Sequence, residues 1–412
     1  MASDVHPIVV LDPTSHVVVV GAGLAGWRLV EALRRDGFTG RVTVIGDEPH
    51  YPYDRPPLSK QVLAGKMGAF DTGLARHDSP TDVDWRLGVA AVSLDVGSRT
   101  VGLADGTTIT GTHIAIATGA RARTLTTSAG AQVHALRTRD DVVRLNEAVI
   151  GSSDEVTVAV IGGGFIGAEV ATSLRGRGLR VVVLEMLARP LVRVVGDDVS
   201  RWLEHLPGAV GIELRTSQTV LDVEPAGRSL RVRLGGGDDV IASVVVAGVG
   251  AETNVDWLSG SGLSVDNGVV VDENLQAASG IAALGDVARF AWQGPVGPEV
   301  VRIEHWQVAN DHATQLAHVW MTGTSAPTPL VPYFWSDQYG KKIQLLGHPN
   351  PHDEVVRVFA DDAGRWLALY HRFGVVSGVV ALSYPRGLML AKPLLQVPTT
   401  IERALERTPW TK

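Results

Sequence analysis

The sequence contains no cysteine among its 412 residues. A chain without thiols forms no disulfide, no thiolate-ligated metal site and no cysteine-ligated iron–sulfur cluster, and it cannot act as a dithiol–disulfide reductase. Charge is also sparse: charged residues make up 20% of the chain, and 37 Lys+Arg against 44 Asp+Glu leave a net charge of −7. Because this mildly acidic balance gives no basic field, we expect no nucleic-acid partner.

Long apolar runs are missing too. The stretch 373–382 is interrupted by Gly and Ser and falls short of the roughly 20 residues that a membrane-spanning helix needs. The first residues carry Asp4 and the pair Asp12 and Pro13, where a secretory signal would need a basic region and then an unbroken apolar one. We therefore expect a cytoplasmic protein that does not associate with a membrane.

Several catalytic motifs are absent as well. The sequence has no GxSxG elbow, no Walker sequence and no HExxH or similar histidine spacing. It therefore gives no support for a hydrolase, a kinase or a metal site. The 13 histidines are expected to be solvated or to cap helices.

Glycine, in contrast, is plentiful: its 46 residues are about 11% of the chain, against an average near 7%. The early segment HVVVVGAGLAGWRLVE predicts a buried strand, a turn built on Gly21-x-Gly23-x-x-Gly26, and a helix. A second strand, RVTVIG, then ends at the acidic pair Asp47 and Glu48. This context is typical of dinucleotide binding. The first glycine permits the turn, the second lets a pyrophosphate approach, the third allows close helix packing, and the acid accepts ribose hydroxyls.

The same pattern returns about 140 residues later, a separation suited to two nucleotide-binding domains. The segment VTVAVIGGGFIGAEVATSLRGRGLRVVVLE carries Gly162-x-Gly164-x-x-Gly167 and ends its second strand at Glu185. Two dinucleotides in one cysteine-free chain indicate electron transfer between them, most simply from a nicotinamide to a flavin. At about 150 residues per domain, the length allows two or three domains.

Two other regions have strand character. Residues 85–116 alternate apolar and polar side chains between turn signals, which predicts an antiparallel patch. From about Pro327 onward the chain is again rich in alternating runs, which predicts a third, antiparallel domain.

The motifs occur in the order found in a known family. The first glycine turn is followed by RPPLSK at 55–60, ATG at 117–119, the second turn, LGD at 284–286, EHW at 304–306 and FWSDQ at 334–338. In this order the chain resembles the FAD-dependent ferredoxin reductases that serve bacterial cytochrome P450 and aromatic-ring dioxygenase systems. The resemblance runs from about His16 to about Leu390 and implies an α/β fold with two Rossmann-like domains, for FAD and NADH, plus a C-terminal α+β interface domain. The domains expected from it are a FAD-binding domain at 1–122 and 251–326, an NADH-binding domain at 123–250 and a C-terminal domain at 327–412.

The resemblance also implies which residues bind FAD. Val89 would meet the adenine through its backbone, and Arg137 would lie on the flavin side. Asp286 would accept a ribityl hydroxyl, and the backbone of Trp306 would lie at the pyrimidine end of the isoalloxazine. The full set implied for FAD is Gly21, Gly23, Leu24, Ala25, Gly26, Asp47, Glu48, Arg55, Lys60, Val89, Thr118, Gly119, Arg137, Gly285, Asp286 and Trp306.

Three residues are candidates for the reaction itself. A cation near the flavin ring favours its reduced, partly anionic form, and the resemblance implies this role for Lys60. It also places Glu169 where it can pair with Lys60 near the nicotinamide, although an acid in the first turn of a helix needs no further role. Trp335 would lie between the flavin edge and a partner, or else belong to the core.

The donor is expected to be NADH. The Glu185 carboxylate can accept the ribose hydroxyls of NADH but repels the 2′-phosphate of NADPH. Arg189 and Arg193 follow closely, and an arginine there could accept a phosphate, so NADPH stays open as the alternative. The set implied for NADH is Gly162, Gly164, Phe165, Ile166, Gly167, Glu185, Arg193 and Gly250.

The electron acceptor is expected to be a [2Fe–2S] ferredoxin, because a flavin delivers electrons singly and this chain cannot ligate such a cluster with cysteine. Such ferredoxins are usually acidic, so Arg302, Lys341 and Lys342 are candidates for a basic rim. One alternative is an NADH:quinone reductase or another two-dinucleotide flavin oxidoreductase, but the C-terminal tail lacks a basic amphipathic pattern. Another is an apoptosis-inducing-factor-like flavoprotein, which the sequence pI near 6.0 disfavours.

Overall fold

The structure is a computed structural model that describes residues 6–75, 80–151, 156–325, 330–406 and 410. The α-helices of the described residues are α1 (Leu24–Arg35), α2 (Arg139–Ile150), α3 (Phe165–Gly176), α4 (Val192–Leu203), α5 (Leu206–Ala209), α6 (Trp306–Thr322), α7 (Pro385–Ala391) and α8 (Ile401–Glu406). Shorter turns are a π-helix at Leu58–Val62 and 3-10 helices at Ala69–Thr72, Asp256–Leu258, Gly285–Val287 and Lys392–Leu395. The strands are β1 (His16–Val20), β2 (Arg41–Gly46), β3 (Asp84–Leu87), β4 (Ala91–Asp95), β5 (Thr100–Leu103), β6 (Thr108–Thr110), β7 (His113–Ile116), β8 (Ala120–Ala122), β9 (His134–Ala135), β10 (Thr157–Ile161), β11 (Arg180–Leu184), β12 (Glu213–Arg215), β13 (Val220–Ala226), β14 (Ser229–Leu234), β15 (Val240–Ala242), β16 (Val244–Ala247), β17 (Ala251–Thr253), β18 (Val269–Val271), β19 (Gln276–Ala278), β20 (Ile281–Ala283), β21 (Ala288–Gly294), β22 (Gly297–Val301), β23 (Tyr333–Gln338), β24 (Lys341–Gly347), β25 (Glu354–Ala360), β26 (Trp366–Arg372) and β27 (Val375–Leu382).

The chain divides into two compact units. The first comprises Met1–Tyr53, Gly73–Arg121 and Glu252–Phe334, and the second comprises Asp54–Thr72, Ala122–Ala251 and Trp335–Lys412. The short segment 54–72 thus belongs with the second unit, although the sequence placed it in the expected FAD-binding domain. The division into FAD, NADH and C-terminal domains stays a prediction.

The first unit is built on a mainly parallel six-stranded sheet in the order β19-β20-β7-β1-β2-β3. Its centre is β1, where the four valines 17–20 are almost entirely buried, as a strand flanked by parallel neighbours requires. Helix α1 follows directly and packs against α6. The predicted strand, glycine turn and helix are confirmed.

The antiparallel patch predicted at 85–116 forms only in part. Strands β4, β5 and β6 pair antiparallel, but Trp85 lies in β3, which pairs parallel with β2 at the edge of the large sheet. The reason is packing: the Trp85 ring lies 5.6 Å from the fully buried Trp27 ring of α1, centroid to centroid.

The second unit contains two five-stranded sheets. A parallel sheet in the order β12-β11-β10-β16-β9 carries the second glycine turn between β10 and α3. An antiparallel sheet in the order β23-β24-β27-β26-β25 forms the C-terminal part, as the sequence predicted. Among the helices of the described residues, none combines the length and apolar character that crossing a membrane requires.

Helix α4 is interrupted at Gly196, which takes φ +76°. A side chain could not replace this hydrogen, because a Cβ there would lie 2.5 Å from the Pro351 carbonyl oxygen. The Tyr370 hydroxyl, from β26, donates to the carbonyl oxygen of Val195 at 2.8 Å. A residue of the antiparallel sheet therefore satisfies a carbonyl next to the interruption.

Candidate functional site

The first glycine turn, in the first unit, leaves one open position. Gly21 has φ +121°, and a Cβ there would lie 2.2 Å from the Ala117 carbonyl oxygen, while a Cβ on Gly26 would lie 2.1 Å from the Gly21 carbonyl oxygen. Around Gly23, in contrast, no atom of the described residues lies within 4 Å of the place a Cβ would take. This opening fits a pyrophosphate that approaches the backbone. The amides of Leu24 and Ala25, in the first turn of α1, have no acceptor within the helix and carry its partial positive charge.

The acidic pair after β2 is arranged unequally. Asp47 is exposed and its Oδ1 accepts the Glu48 amide at 3.0 Å. The Glu48 carboxylate is half-buried and accepts the Tyr53 hydroxyl at 2.5 Å. The Val89 amide donates to the Gly46 carbonyl oxygen at 3.0 Å, which fixes Val89 beside the end of β2. Of the two acids that follow β2, Glu48 is therefore the more firmly positioned.

Thr118 and Gly119 are held by a residue that the sequence analysis missed, Asn254. Its side-chain amide donates to the Thr118 carbonyl oxygen (2.9 Å), and its backbone amide donates to the Gly119 carbonyl oxygen (3.0 Å). The Thr118 hydroxyl donates to the Asn254 carbonyl oxygen (2.8 Å). One sequence feature could have pointed to Asn254: the segment VVVAGVGAETN, which ends at this residue, is similar to IAIATGA, and both place a glycine turn after a buried strand.

Gly285 and Asp286 lie near the first glycine turn. Gly285 has φ +71°, and a Cβ there would lie 2.8 Å from the Ala25 Cβ of α1. Trp306 begins the 17-residue helix α6, so a helix N-terminus belongs to the same unit. The first unit thus collects the predicted glycines, Asp47, Glu48, Val89, Thr118, Gly119, Asp286 and Trp306.

Buried histidines depart from the expected solvated or capping roles: His371 is 9% exposed, and His312 and His113 are buried more completely. His312 in α6 is 1% exposed, and its Nδ1 accepts the Gly285 amide at 3.3 Å. Burial lowers the pKa of His312 to about 4, and the nearby Asp286 carboxylate opposes this only partly. His113 is equally buried, and burial lowers its pKa too. The expectation was wrong for both, because an apolar environment favours the neutral imidazole.

A buried polar cluster lies in the second unit around Glu169, which is 3% exposed. Its Oε2 accepts Lys60 Nζ at 2.7 Å and the Ser59 hydroxyl at 2.6 Å. Its Oε1 accepts the hydroxyl of the fully buried Ser336 at 2.6 Å, and Ser336 accepts Gln338 Nε2 at 3.1 Å. The predicted Lys60–Glu169 pair is therefore present, and Ser59 and Ser336 are further members that the sequence analysis did not single out.

Three other predicted residues lie in the second unit. Arg55 donates from Nη1 to the Arg137 carbonyl oxygen at 2.8 Å, so these two arginines are neighbours. Trp335 is half-buried and precedes Ser336 on β23. Because side chains alternate along a strand, Trp335 faces away from the Glu169 cluster.

The second glycine turn repeats the geometry of the first. Gly162 has φ +101°, and its Cβ would lie 2.4 Å from the Gly248 carbonyl oxygen. A Cβ on Gly167 would lie 2.1 Å from the Gly162 carbonyl oxygen, whereas the nearest atom at Gly164 would be 3.9 Å away. Gly250 accepts the Arg123 amide at 3.0 Å, and Ile166, in the first turn of α3, is 45% exposed.

Glu185 lies directly beside this turn. Its Oε2 accepts the Gly163 amide at 2.7 Å and its Oε1 accepts the Leu187 amide at 2.8 Å. Each carboxylate oxygen can accept a second hydrogen bond, so both can still receive a hydroxyl. Of the two arginines that follow, Arg189 is ion-paired and Arg193 is exposed.

The candidates for a basic rim differ in availability. The Arg302 side chain is 13% exposed, pairs with Glu304 at 2.5 Å and donates to the Asp286 carbonyl oxygen. Lys341 Nζ donates to the Ala363 carbonyl oxygen at 3.4 Å, and Lys342, 45% exposed, lies 3.5 Å from an Asp337 oxygen. Arg302 therefore offers little accessible positive charge, whereas the charges of Lys341 and Lys342 are more accessible.

Residues 15–313 match the family described as pyridine nucleotide-disulphide oxidoreductase, and residues 333–409 match the family described as reductase C-terminal. The chain is 36% identical over 399 residues to rhodocoxin reductase of Rhodococcus erythropolis, covering 95% of this chain and 92% of that protein. It is also 36% identical over 397 residues to the ferredoxin reductase component of chlorobenzene dioxygenase from Cupriavidus sp. (strain PS12), covering 95% and 94%. Among solved structures, it resembles the covalent putidaredoxin reductase–putidaredoxin complex with a TM-score of 0.86, 30% identity and coverage of 93% of each chain.

Proposed function

The chain belongs to the pyridine nucleotide-disulphide oxidoreductase family, among its FAD-dependent ferredoxin reductases, and from this premise we propose that it carries electrons from NADH through FAD to a [2Fe–2S] ferredoxin. The ferredoxin in turn feeds a cytochrome P450 or a ring-hydroxylating dioxygenase. The observation that carries this function is the presence of two complete dinucleotide turns in one cysteine-free chain, each with an open glycine position. When bound, FAD supplies the step between a two-electron hydride donor and a one-electron acceptor.

The residues of the first unit fit FAD. The opening at Gly23 and the amides of Leu24 and Ala25 would bind the pyrophosphate, since a helix N-terminus favours negative charge. Glu48, positioned by the Tyr53 hydroxyl, would accept the ribose hydroxyls of the ADP half.

The flavin half would be held by other predicted residues. Asp286 would accept a ribityl hydroxyl, while His312 and Ala25 fix the position of the neighbouring Gly285. The N-terminus of α6 at Trp306 would stabilise negative charge at the pyrimidine end of the ring.

The residues of the second unit fit NADH. Gly164 would admit the pyrophosphate, and Glu185 would accept the adenosine ribose hydroxyls, because both of its oxygens keep an acceptor site. Phe165, Ile166 and Gly250 complete the predicted NADH set, together with the exposed Arg193.

Lys60 would present its ammonium group to the flavin. Glu169 holds this ammonium at 2.7 Å and is itself held by Ser59 and Ser336, so the charge keeps a defined position inside the protein. A fixed cation favours negative charge on a reduced ring. Arg55 and Arg137 would lie along the same cofactor, and Trp335 would lie on the path to the partner.

A cytoplasmic location is also part of this proposal, because the reaction needs the NADH pool of the cell interior. Fractionation of cells followed by assay of NADH-dependent ferredoxin reduction tests it.

The function is tested by anaerobic mixing of the purified yellow protein with NADH, and separately with NADPH, while flavin bleaching is followed. A [2Fe–2S] ferredoxin and cytochrome c are added afterwards. We expect fast bleaching by NADH, and cytochrome c reduction that requires the ferredoxin. Equally fast transfer to a quinone without ferredoxin would contradict the proposal and favour a quinone reductase.

A further inference from the structure

The loop between β11 and α4 lies against the second glycine turn. Besides the Gly163–Glu185 hydrogen bond, a Cβ on Gly163 would lie 3.2 Å from the Pro190 Cβ. The Ser200 hydroxyl of α4 donates to the Pro190 carbonyl oxygen at 2.7 Å and fixes the end of this loop. Residues 186–190 therefore border the place where the adenosine ribose of a nicotinamide dinucleotide binds. A cation on this loop is in position to meet a 2′-phosphate.

Arg189 is the cation on that loop, and two carboxylates already hold it. Its Nη1 lies 2.5 Å from Asp197 Oδ1, and its Nε lies 3.0 Å from Glu204 Oε2. Asp197 follows the interruption at Gly196 in α4, and Glu204 directly follows that helix. A phosphate could pair with Arg189 only by displacing one of these acids.

Arg193 has a different environment. It is exposed in the first turn of α4, and within the described residues no carboxylate forms an ion pair with it. It is therefore the second possible source of positive charge for a 2′-phosphate, and an experiment must distinguish it from Arg189.

We propose that Asp197 and Glu204 are specificity-determining residues that hold Arg189 away from the 2′-phosphate of NADPH. Their effect adds to that of Glu185, whose negative charge repels the same phosphate. This inference rests on the proposed function, because it assumes a nicotinamide dinucleotide at the second turn. Both acids are about half exposed, at 53% and 46%, so their ion pairs are weak enough for Arg189 to be released without unfolding the loop.

The test compares the FAD-loaded enzyme with the double variant Asp197→Asn/Glu204→Gln. We measure the KM for NADPH and for NADH, and competitive inhibition by 2′,5′-ADP and by 5′-AMP. We expect the KM for NADPH and the inhibition constant of 2′,5′-ADP to fall about tenfold, which corresponds to about 1.4 kcal/mol. The values for NADH and 5′-AMP should change less than about twofold, since neither carries a 2′-phosphate.

Two further variants identify the cation. Adding Arg189→Gln to the double variant should abolish the gain in affinity for NADPH and 2′,5′-ADP. Adding Arg193→Gln should leave most of that gain. Asp197 also pairs with Arg201, so the double variant loosens Arg201 too. Asp198→Asn is the matched control, because it removes one negative charge from the same helix and the other carboxylate that pairs with Arg201, but leaves both ion pairs of Arg189 in place. It should leave both inhibition constants unchanged. If the double variant does not fold, Glu204→Gln alone gives the same test with a smaller effect.

Three results would overturn the inference: no gain for 2′,5′-ADP, a gain that survives Arg189→Gln, or an equal gain in Asp198→Asn. Failure of the proposed function would be recognised separately. In that case the unmodified enzyme would not accept hydride from NADH, while direct calorimetric binding of 2′,5′-ADP would still report on Arg189.

Discussion

A single buried carboxylate, Glu169, accepts hydrogen bonds from Lys60, Ser59 and Ser336, and the last of these comes from β23. In Ser336→Ala, Glu169 loses one donor and Gln338 Nε2 loses an acceptor. A hydrogen bond to a charged group contributes about 1.5–3 kcal/mol, so we expect the free energy of unfolding in urea to fall by about that amount.

The matched control for this variant is Ser173→Ala. The Ser173 hydroxyl is also buried, but it donates to a neutral acceptor, the Ser59 carbonyl oxygen, at 2.6 Å. Its removal should cost about 1 kcal/mol. Equal losses in the two variants would show that the charge of Glu169 adds nothing to the cluster.

We also expect slower flavin reduction by NADH in Ser336→Ala, since Lys60 loses a firmly held counter-ion.

His312 makes stability depend on pH. Its pKa is about 4 in the folded protein, against an ordinary value of 6.5, so the unfolded chain binds more protons between these values. Its stabilising effect is therefore complete above pH 6.5 and is lost as the pH falls toward 4. Between pH 7.5 and pH 5 we expect a loss of about 2 kcal/mol in the free energy of unfolding from this residue.

Urea unfolding of three proteins at both pH values checks this expectation. His312→Gln should lose about 2 kcal/mol less than the unmodified protein over the same interval, because glutamine does not titrate. His318→Gln, at an exposed position of the same helix, should behave like the unmodified protein. A pH dependence that is the same in all three proteins would refute the assignment to His312. A protonated His312 could no longer accept the Gly285 amide, so FAD release should also increase at acid pH.

Two glycines of the first turn have different roles: Gly26 is required for folding, and Gly23 is required for FAD binding. Gly26→Ala would put a Cβ 2.1 Å from the Gly21 carbonyl oxygen, so α1 must move away from β1 and the protein should be strongly destabilised. The Cβ of Gly23→Ala meets no atom within 4 Å in the part of the chain that the structure describes, so this variant should fold normally. We expect it to bind FAD at least tenfold more weakly, because the added methyl group occupies the pyrophosphate opening.

Thermal unfolding of the apoprotein and FAD titration by flavin fluorescence measure the two effects. If Gly23→Ala bound FAD normally, the cofactor would not approach the backbone at this glycine. Gly164→Ala and Gly167→Ala provide the same comparison at the second turn, with NADH as the ligand.

The same elements show what a sequence can predict. The two strand–turn–helix segments were predicted correctly because glycine spacing and apolar runs are local properties of the chain. The grouping of segment 54–72 with the second unit was not predicted, because it depends on a contact between Lys60 and Glu169, which are 109 positions apart. The ion pairs of Arg189 were missed for a similar reason. Its partners become neighbours only when α4 folds back on the loop, whereas the sequence showed simply an arginine near an acid.

The net charge of the protein, −7, opposes the approach of an acidic ferredoxin, so a local cationic surface has to dominate at short range. Lys341 and Lys342 on β24 are the accessible candidates. In Lys341→Gln/Lys342→Gln we expect the KM for ferredoxin to rise about fivefold at low ionic strength, with NADH-dependent flavin reduction unchanged. Lys66→Gln, which removes a charge from another exposed position, is the control.

In the unmodified enzyme the KM for ferredoxin should increase with salt, since screening weakens attraction between close opposite charges. A KM that instead decreases with salt would show that overall repulsion governs the encounter, and an unchanged KM in the double variant would show that the two lysines have no part in binding.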